Sequence, residues 1–445
     1  MLARSRPLVY SRQESFGLSV YVSERDDNFL IDDQVARIVQ KFTARWKKVE
    51  IKEAHVVRSL AELGILESKD EKGVLVPQIA YSGVHLIGKI TDIPVVQHPL
   101  VVNCFSTSWC PLKCVYCHAD DLMKDYRASE TLEGVERVVE TASKIPALAY
   151  VITGGDPLTK PDRALALAER LSDKAGVVID TSGVGSVEDA LQMVKSRPMH
   201  MRISIDSMDP RINRVTRPIN PAMRPTLDEK NMHSLGYAER MVDRIAPWAT
   251  GVSVQTVISS KNDKYDHLIQ LRDWLISRGV KNWILHVAIN AGAATRFAIR
   301  TDREKQKLEA SAGKEILATR KATKILPDLQ NASRSIKRLI ENTQSGNYDI
   351  DIRCTNANDA PNSVFLLDSE GDLFTQGRGK DRGRKVSLLP FGSALRDLNA
   401  LWTYVNPIDH AQRYINFLPA VHGTPIGIRF DERLDLGENL IVVGF

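Results

Sequence analysis

The sequence predicts an α/β protein built around an open, partial (β/α)6 TIM-like barrel. A small α+β domain precedes the barrel and an α+β extension follows it. Between Leu100 and Asn290, apolar segments of strand length alternate with segments of helix length, giving six such units. This alternation is typical of parallel strands joined by right-handed crossovers. Six units are fewer than the eight that close a TIM barrel, so we expect an open sheet with its chemistry at the C-terminal ends of the strands.

Short apolar runs predict the strands of residues 100–300, and apolar residues at helical spacing predict the helices between them. The predicted strands are Val101–Phe105, Leu148–Thr153, Val177–Asp180, Met201–Ile205, Val252–Ile258 and Trp283–Val287. The predicted helices include Thr131–Lys144, Arg163–Asp173, Val187–Lys195, Tyr237–Ile245 and His267–Arg278.

Residues 1–99 are predicted to form the small N-terminal domain. Strand, helix, helix and ribbon in this order are typical of a winged-helix module. Asp32 or Asp33 suits the N-cap of the first helix, and Gly64 suits the end of the second. The predicted elements are a strand at Leu18–Val22, a turn at Asp26–Asn28, a helix with Val35, Ile38, Val39 and Phe42 on its apolar face, a helix at Lys52–Leu63, and a ribbon of Ile65–Leu66 with Val74–Val76.

Residues 301–445 are predicted to form the C-terminal extension. A charged helical stretch runs from about Asp302 to Asn342. Ser363–Thr375 then follows with the pattern of a hairpin that turns at residues 369–372.

Composition excludes several classes of protein. The 445 residues are 43% hydrophobic and 26% charged, which is ordinary for globular domains and unlike disordered or collagen-like chains. No apolar run is long enough for a membrane span, and the first residues lack the apolar core of a signal peptide. We therefore expect a cytoplasmic protein without a membrane partner. The net charge of +5 neither requires nor excludes a nucleic acid.

The cysteines give the strongest chemical signal. Cys110, Cys114 and Cys117 have the spacing Cys-x3-Cys-x2-Cys, just after the first predicted barrel strand. Three close thiolates can hold three irons of an iron–sulfur cube and leave the fourth iron open to a small ligand. The alternative is a zinc site completed by His118 or by a distant ligand, although His118 directly follows Cys117 and chelation of one ion would be strained.

The cysteine segment resembles the radical S-adenosylmethionine (radical SAM) superfamily, which has the same spacing and an aromatic residue where Tyr116 stands here. The resemblance implies an enzyme whose cofactors are a [4Fe-4S] cluster, held by the three cysteines, and S-adenosylmethionine (SAM). It implies reductive cleavage of SAM and abstraction of a substrate hydrogen. An electron donor of the flavodoxin or ferredoxin type would be a partner.

A second motif strengthens the resemblance at the end of the second strand. The segment Gly154-Gly155-Asp156-Pro157 resembles the family's Gly-Gly-Glu-Pro motif, with Asp in place of Glu as in lysine 2,3-aminomutase-like members. The family motif meets the SAM amino group, for which glycines allow close approach and carbonyl or carboxylate oxygens accept hydrogen bonds. The alternative is a plain glycine-rich turn.

Later strand ends carry further residues that the resemblance assigns to SAM. Thr181 lies in a segment similar to the family's Thr-Asn-Gly, while Ser204 and Asp206 match its Ser-x-Asp strand on the ribose side. Arg217 suits the SAM carboxylate, and Gln255 matches a polar residue that points into the barrel. The alternative for these residues is a purely structural role, in the packing of turns and of the barrel or, for Arg217, at the surface.

The flanking regions indicate the substrate class. The N-terminal module resembles the precursor-recognition element of peptide-modifying radical SAM enzymes, in which a leader peptide adds as an edge strand. A peptide or protein substrate is therefore our first hypothesis, and a module that binds nothing is its alternative. Three further hypotheses stay open. The substrate is a small molecule such as an amino acid, or it is RNA, which the basic loop 376–385 suggests, or the chain is a zinc-stabilised binding protein without catalysis. Nucleic acid is disfavoured because four acidic residues occupy the module: Asp26, Asp27, Asp32 and Asp33.

The C-terminal region resembles a degenerate SPASM or Twitch domain, in which Gln376 replaces a cluster cysteine. Cys354 alone cannot hold a second cluster. It is a candidate catalytic thiol that donates hydrogen to a substrate radical, or a packed structural cysteine. His286, at a strand end, is either an active-site acid or base or a packed histidine of the barrel.

Overall fold

The structure is a computed structural model of the chain. It describes residues 1–78, 98, 100–117, 119–120, 123, 130, 132–222, 233–288, 293–294, 325–355, 365–371 and 373–375, and the strand residues 415–418, 420–421, 424–425 and 428–429.

Strands and helices follow one another along most of the described chain. The strands are β1 (Leu2–Ser5), β2 (Val9–Glu14), β3 (Gly17–Val22), β4 (Asp27–Asp32), β5 (Lys47–Lys48), β6 (Leu66–Lys69), β7 (Val101–Thr107), β8 (Ala149–Gly154), β9 (Gly176–Thr181), β10 (His200–Ser204), β11 (Gly251–Ile258), β12 (Asn282–Val287), β13 (Asp351–Thr355), β14 (Phe365–Leu367), β15 (Leu373–Thr375), β16 (Ile415–Leu418), β17 (Ala420–Val421), β18 (Thr424–Pro425) and β19 (Ile428–Arg429). The α-helices are α1 (Asp33–Gln40), α2 (Ala54–Glu62), α3 (Glu133–Ala142), α4 (Pro161–Leu171), α5 (Val187–Ser196), α6 (Pro210–Thr216), α7 (Ser234–Ile245), α8 (Tyr265–Ser277) and α9 (Leu329–Ser345).

A nine-stranded sheet forms the centre of the molecule, in the order β13-β12-β11-β10-β9-β8-β7-β14-β15. Neighbouring strands from β13 through β14 pair in parallel, which makes eight parallel strands, and β15 turns back antiparallel. The six predicted strands are confirmed as β7 to β12, in the predicted order. Two further parallel strands, β13 and β14, extend this set at its two edges. Among the described strands the order is linear, so the sheet is an open, partial barrel.

Apolar side chains on the outer face of the sheet pack under the helices. Ile179, Val254 and Leu285 are completely buried there, in one core shared with α3, α4, α5, α7 and α8. Side chains alternate along each strand, so the residues between these positions face the inside of the barrel. Asp180 and Gln255 are two such residues, and both are only partly buried. The inner face of the barrel is therefore polar in this region.

The C-terminal hairpin prediction is confirmed, because β14 and β15 pair antiparallel on either side of the predicted turn. The charged helical stretch is described only from residue 325 onward, where α9 spans Leu329–Ser345. Gln376 and the basic loop 376–385 lie outside the described residues. The degenerate SPASM or Twitch assignment and the three domain boundaries stay predictions.

The N-terminal region contains more strand than its sequence pattern predicts. The predicted strand Leu18–Val22 is β3, the middle of an antiparallel meander of β2, β3 and β4, and β16 adds to β4 in parallel. A second sheet has the order β5-β1-β6. Both predicted helices are confirmed as α1 and α2. Gly64, with a φ of +79°, ends the second helix in the left-handed region that glycine favours.

The turn between β3 and β4 packs against arginines of the barrel. Asp26, which has a φ of +51°, accepts hydrogen bonds from Nε and Nη2 of Arg202 at 2.9 and 2.5 Å. Asp27 pairs with Arg353 at 3.2 Å. Both carboxylates are buried, so their charge does not contribute to an exposed acidic surface. Asp26 and Asp27 therefore do not supply the exposed negative charge that was expected to disfavour nucleic-acid binding by this module.

Among the described helices, none combines the length and the hydropathy that a membrane crossing requires.

Candidate functional site

The three motif cysteines lie on one loop at the C-terminal end of β7. We call residues 110–117 the cysteine loop. Cys110, Cys114 and Cys117 are each partly buried. Burial raises the pKa of all three thiols, to about 12 for Cys117, and the neighbouring thiols act in the same direction on Cys110 and Cys117. The three sulfur atoms therefore lie close enough for their charges to affect one another.

The chain segment 216–220 holds the cysteine loop from one side. The backbone N–H of Lys113 donates to Pro218 at 2.8 Å, and that of Val115 donates to Thr216 at 3.0 Å. Asn220 donates its backbone N–H to Pro111 at 2.7 Å. A short antiparallel ladder thus fixes the loop backbone between the first and the last cysteine.

Two glycines hold the loop from the other side. A Cβ on Gly154 would lie 2.3 Å from the carbonyl oxygen of Thr107, and one on Gly155 would lie 1.8 Å from that of Trp109. The backbone N–H of Gly155 donates to Thr107 at 2.8 Å. These glycines are needed because the end of β8 touches the backbone that leads into the cysteine loop. Close approach to the chain itself, and not only to a ligand, explains the motif.

Both carboxylate oxygens of Asp156 accept hydrogen bonds from other residues of the chain. Oδ1 accepts from the Leu158 N–H at 3.0 Å and from the Thr181 hydroxyl at 2.8 Å. Oδ2 accepts from the Ser182 N–H at 2.7 Å and also from the Ser182 hydroxyl. Four donors use the four lone-pair positions of a carboxylate. The carboxylate of Asp156 is therefore fully used within the chain, and a contact between this motif and the SAM ammonium stays a prediction.

Asp156 and Thr181 instead join two strand ends. Burial raises the pKa of Asp156, and the bonds from Ser182, Leu158 and Thr181 oppose that shift. Thr181 also accepts the Gly183 N–H at 3.1 Å, so its hydroxyl is used inside the turn after β9. Pro157 is buried and begins the short helical turn that follows Asp156.

Tyr116, Asp206 and Arg217 meet in a buried group beside the cysteine loop. The Tyr116 hydroxyl donates to Oδ2 of Asp206, and Nη1 of Arg217 lies 3.4 Å from the same hydroxyl. Oδ1 of Asp206 accepts the Val257 N–H at 3.2 Å. The positive charge of Arg217 also opposes the burial effect on the pKa of Cys114. The sequence prediction placed these three residues in one site, and the structure brings them together.

Gln255 occupies a different part of the barrel from this group. Its amide nitrogen donates to Oδ1 of Asp180 at 3.0 Å, and its amide oxygen lies 2.9 Å from Nε2 of His286. Ser204 is partly buried at the end of β10, in register with Gln255. Ser204, Gln255 and His286 therefore lie on adjacent strands, with His286 two residues further along its strand, in register with Val257.

The two remaining cysteines differ in what the structure describes. Cys104 is completely buried on β7, and burial raises its pKa to about 12, as expected for a structural thiol. The backbone of Cys354 lies on β13, in register with Leu285. Its role as a catalytic thiol stays a prediction, and His118 lies outside the described residues.

Sequence reasoning missed a polar group before the cysteine loop. The Glu130 carboxylate accepts from the Ser108 N–H at 2.9 Å, the Ser108 hydroxyl at 2.6 Å and the Ser369 hydroxyl at 3.1 Å. Arg163 donates to the backbone oxygens of Ser106 and Ser369 at 2.6 and 2.8 Å. The hairpin turn after β14 is thereby fastened to the start of the loop. Only contacts distant in sequence reveal this role.

The donor set fits an iron–sulfur cube. In the described part of the chain, no three His, Cys, Asp or Glu side chains converge on a point where they could bind one metal ion. A cube does not need such convergence, since each of its irons takes one thiolate. Arg217 is buried next to Cys114 and retains donors beyond its bond to Tyr116, which suits a carboxylate ligand.

Comparison with known proteins finds similarity over part of the chain. Residues 105–228 match the family model of the Radical SAM superfamily. A GTP 3′,8-cyclase of Desulforamulus reducens is 34% identical over 109 residues, which is 23% of this chain and 33% of the relative. A putative glycyl-radical enzyme activating enzyme of Methanocaldococcus jannaschii is 29% identical over 100 residues, or 22% of this chain and 40% of the relative. The chain thus spans about a third of the first relative's length.

One solved structure is similar over most of the chain. SuiB from Streptococcus suis, bound to the precursor peptide SuiA, has a TM-score of 0.53 and covers 92% of this chain and 90% of its own. The sequences are 13% identical, so the likeness concerns the fold.

Proposed function

We propose that the protein is a radical SAM enzyme that modifies a peptide or protein, because residues 105–228 match the model of the Radical SAM superfamily, whose cofactors are a [4Fe-4S] cluster and SAM. The observation that carries the catalytic part is the cysteine loop. Its backbone is held on one side by residues 216–220 and on the other by Gly154 and Gly155. A rigid loop presents Cys110, Cys114 and Cys117 in fixed positions.

Each residue of the site has a definite task in this proposal. The three thiolates would hold a [4Fe-4S] cluster that retains one iron for SAM. When bound and reduced by an external electron donor, this group would supply the electron for SAM cleavage and hydrogen abstraction. Arg217 binds the SAM carboxylate, while Tyr116 and Asp206 fix the guanidinium in place. Asp156 and Thr181 keep the ends of β8 and β9 together, so that backbone groups of this edge face the ligand.

Two features support a peptide or protein as the substrate. The fold similarity to SuiB, which was captured with a precursor peptide, extends over the N-terminal sheets as well as the barrel. Within the described residues, β2 is an edge strand of the N-terminal sheet, whereas β16 already covers the side of β4. We propose that β2 is the edge to which a leader peptide adds.

A nucleotide is the second candidate substrate. It is favoured by the 34% identity to a GTP 3′,8-cyclase over 109 residues. The barrel interior, with Asp180, Gln255 and His286, offers hydrogen-bonding groups that a small polar substrate could use.

The first experiment tests the catalytic proposal. The full-length chain is reconstituted anaerobically with iron and sulfide, reduced, and assayed with SAM for 5′-deoxyadenosine. We expect Cys114→Ala to lose both cluster iron and 5′-deoxyadenosine formation. Cys104→Ala is the matched control, because this thiol is buried on β7, outside the loop, and should retain both. Equal iron content and product in wild type and Cys114→Ala would refute the proposal.

The second experiment separates the two substrate classes. Extract fractions from the source organism are added to the active enzyme, and the rise in 5′-deoxyadenosine is measured before and after protease treatment. A peptide substrate predicts stimulation that protease abolishes, together with a mass change in a peptide. Stimulation by GTP that survives protease would instead support the nucleotide.

A further inference from the structure

Three polar side chains form a hydrogen-bonded line across the inside of the barrel. We call Asp180, Gln255 and His286 the polar row; they lie on β9, β11 and β12. Gln255 donates from its amide nitrogen to Oδ1 of Asp180 at 3.0 Å, and its amide oxygen lies 2.9 Å from Nε2 of His286. The row thus spans β9, β11 and β12, with β10 between β9 and β11. Arg202 of β10 lies 3.6 Å from Oδ2 of Asp180.

Two members of the polar row, Gln255 and His286, lie near the cysteine loop. Side chains two residues apart on a strand share a face and are separated by about 7 Å. Val257 stands two residues beyond Gln255 and in register with His286, and Ala288 stands two residues beyond His286. Both Val257 and Ala288 pack in the small apolar cluster that contains Tyr116 and the partly buried Cys114. A ligand held at the loop would therefore have Gln255 and His286 close to it.

Hydrogen-bond chemistry fixes the direction of every bond in the row. The ionised carboxylate of Asp180 can only accept, so Gln255 must direct its N–H₂ group toward it. The Gln255 oxygen then faces His286, and because a carbonyl oxygen can only accept, Nε2 of His286 must carry the hydrogen. Burial raises the pKa of Asp180, and the positive charge of Arg202 and the hydrogen bond from Gln255 oppose that shift. Asp26 holds Arg202 in place through two bonds to one oxygen.

We propose that Asp180 is a positioning residue of the active site: through Gln255 it holds His286 in the Nε2–H tautomer. In that tautomer Nδ1 is the basic nitrogen of the ring, so the polar row decides which ring nitrogen of His286 can accept a hydrogen bond or a proton. Gln255 is then an orienting residue and not a contact to SAM. This inference deepens the proposed function, but its geometry does not depend on SAM cleavage.

The test measures the tautomer directly. The full-length chain is labelled with ¹⁵N-histidine, and long-range ¹H–¹⁵N spectra distinguish Nε2–H from Nδ1–H; the His286 signals are assigned with His286→Gln. We expect the Nε2–H form in the wild type. In Asp180→Asn the new amide can donate as well as accept, so the amide of Gln255 is free to turn. Since a neutral hydrogen bond contributes up to about 1.4 kcal/mol, the tautomer ratio should change by up to about tenfold.

Two further variants keep the result decisive. Asp173→Asn is the matched control, because Asp173 is exposed and pairs with Arg197 on the surface, so its spectrum should equal the wild type. If Asp180→Asn does not fold, Gln255→Met takes its place, because it removes the amide while Asp180 remains. An Nδ1–H signal in the wild type, or an unchanged tautomer in the folded variants, would overturn the proposal. Because no SAM is present, either result is independent of whether the protein proves to be a radical SAM enzyme.

Discussion

At the scale of single residues, buried charges join the N-terminal module to the barrel. Burial opposes ionisation of Asp26, but the positive charges of Arg202 and Arg353 and the hydrogen bond from Arg202 outweigh it and hold the pKa of this carboxyl below its ordinary value of 3.8. Arg353 also donates to the backbone oxygens of Asp26 and Arg25 at 2.7 and 2.8 Å. Removing one member of such a group leaves the others charged and buried, which is costly.

We expect Asp26→Asn to lower the free energy of unfolding by about 3–5 kcal/mol, the usual cost of breaking a buried ion pair. The measurement is urea denaturation followed by circular dichroism. Asp33→Asn is the control, because its pair with Arg37 is exposed and contributes about 0.5 kcal/mol or less. Equal losses in the two variants would contradict the assignment.

The same carboxyl predicts how stability responds to acid. A folded-state pKa below the ordinary value stabilises the protein fully above pH 3.8, and this contribution disappears as the pH falls through the lowered pKa. Stability measured from pH 5 downward should therefore fall less steeply below pH 3.8 in Asp26→Asn than in the wild type. Parallel curves would show that Asp26 does not titrate in this range.

At the scale of elements, the position of the cysteine loop depends on backbone that contacts backbone. The end of β8 reaches the segment before Cys110 only because Gly154 and Gly155 have no side chains. The 216–220 segment pairs with the loop on its other side. The elements that flank the loop in space are thus distant from it in sequence, and a change in either displaces all three cysteines together.

We expect Gly155→Ala to move the loop, because the new Cβ would meet the Trp109 carbonyl at 1.8 Å. Overpacking of this kind costs about 1–3 kcal/mol, and the displaced loop should retain less iron after reconstitution. Iron per chain and the unfolding midpoint are measured together. Gly236→Ala is the control, since the nearest atom to its Cβ would be 3.9 Å away. Iron content unchanged in both variants would contradict this role of Gly155.

At the scale of the whole molecule, the N-terminal sheet and the barrel share one interior. Tyr21 of β3 is completely buried within the main core of the barrel, and its ring lies close to Gly176 of β9. Together with the ion pairs of Asp26 and Asp27, this contact makes the module part of the folded barrel. The proposed peptide recognition would therefore take place on a sheet that the barrel also needs for its stability.

We expect the full-length chain to unfold in a single calorimetric transition, with the N-terminal module and the barrel melting at the same temperature. Removal of residues 1–78 would expose the apolar surface around Tyr21 and leave Arg202 and Arg353 without their carboxylates, so the shortened chain should melt at a lower temperature or aggregate. A shortened chain that melts like the full-length protein would show two independent units.

The sequence by itself determined the strands of the barrel and the grouping of the motif cysteines. The periodicity of apolar residues predicted β7 to β12 in order, and the spacing of Cys110, Cys114 and Cys117 placed three thiols on one loop, because both signals are local. That these thiols hold a cluster stays a proposal. The addition of β13 and β14 to the sheet was not predicted, because these strands are short and their pairing depends on partners far along the chain.

Only the tertiary structure decided which polar side chains are already bonded within the chain. The carboxylate of Asp156 accepts hydrogen bonds from residues 25 and 26 positions away in sequence, which the glycine-rich motif by itself does not indicate. Asp26 was expected on a surface turn, yet it is bonded to Arg202, 176 positions away. No sequence motif assigns a role to Asp180, which accepts a hydrogen bond from Gln255, 75 positions away. The physical reason is that hydrogen-bond satisfaction depends on the three-dimensional surroundings of a group, which short sequence patterns do not encode.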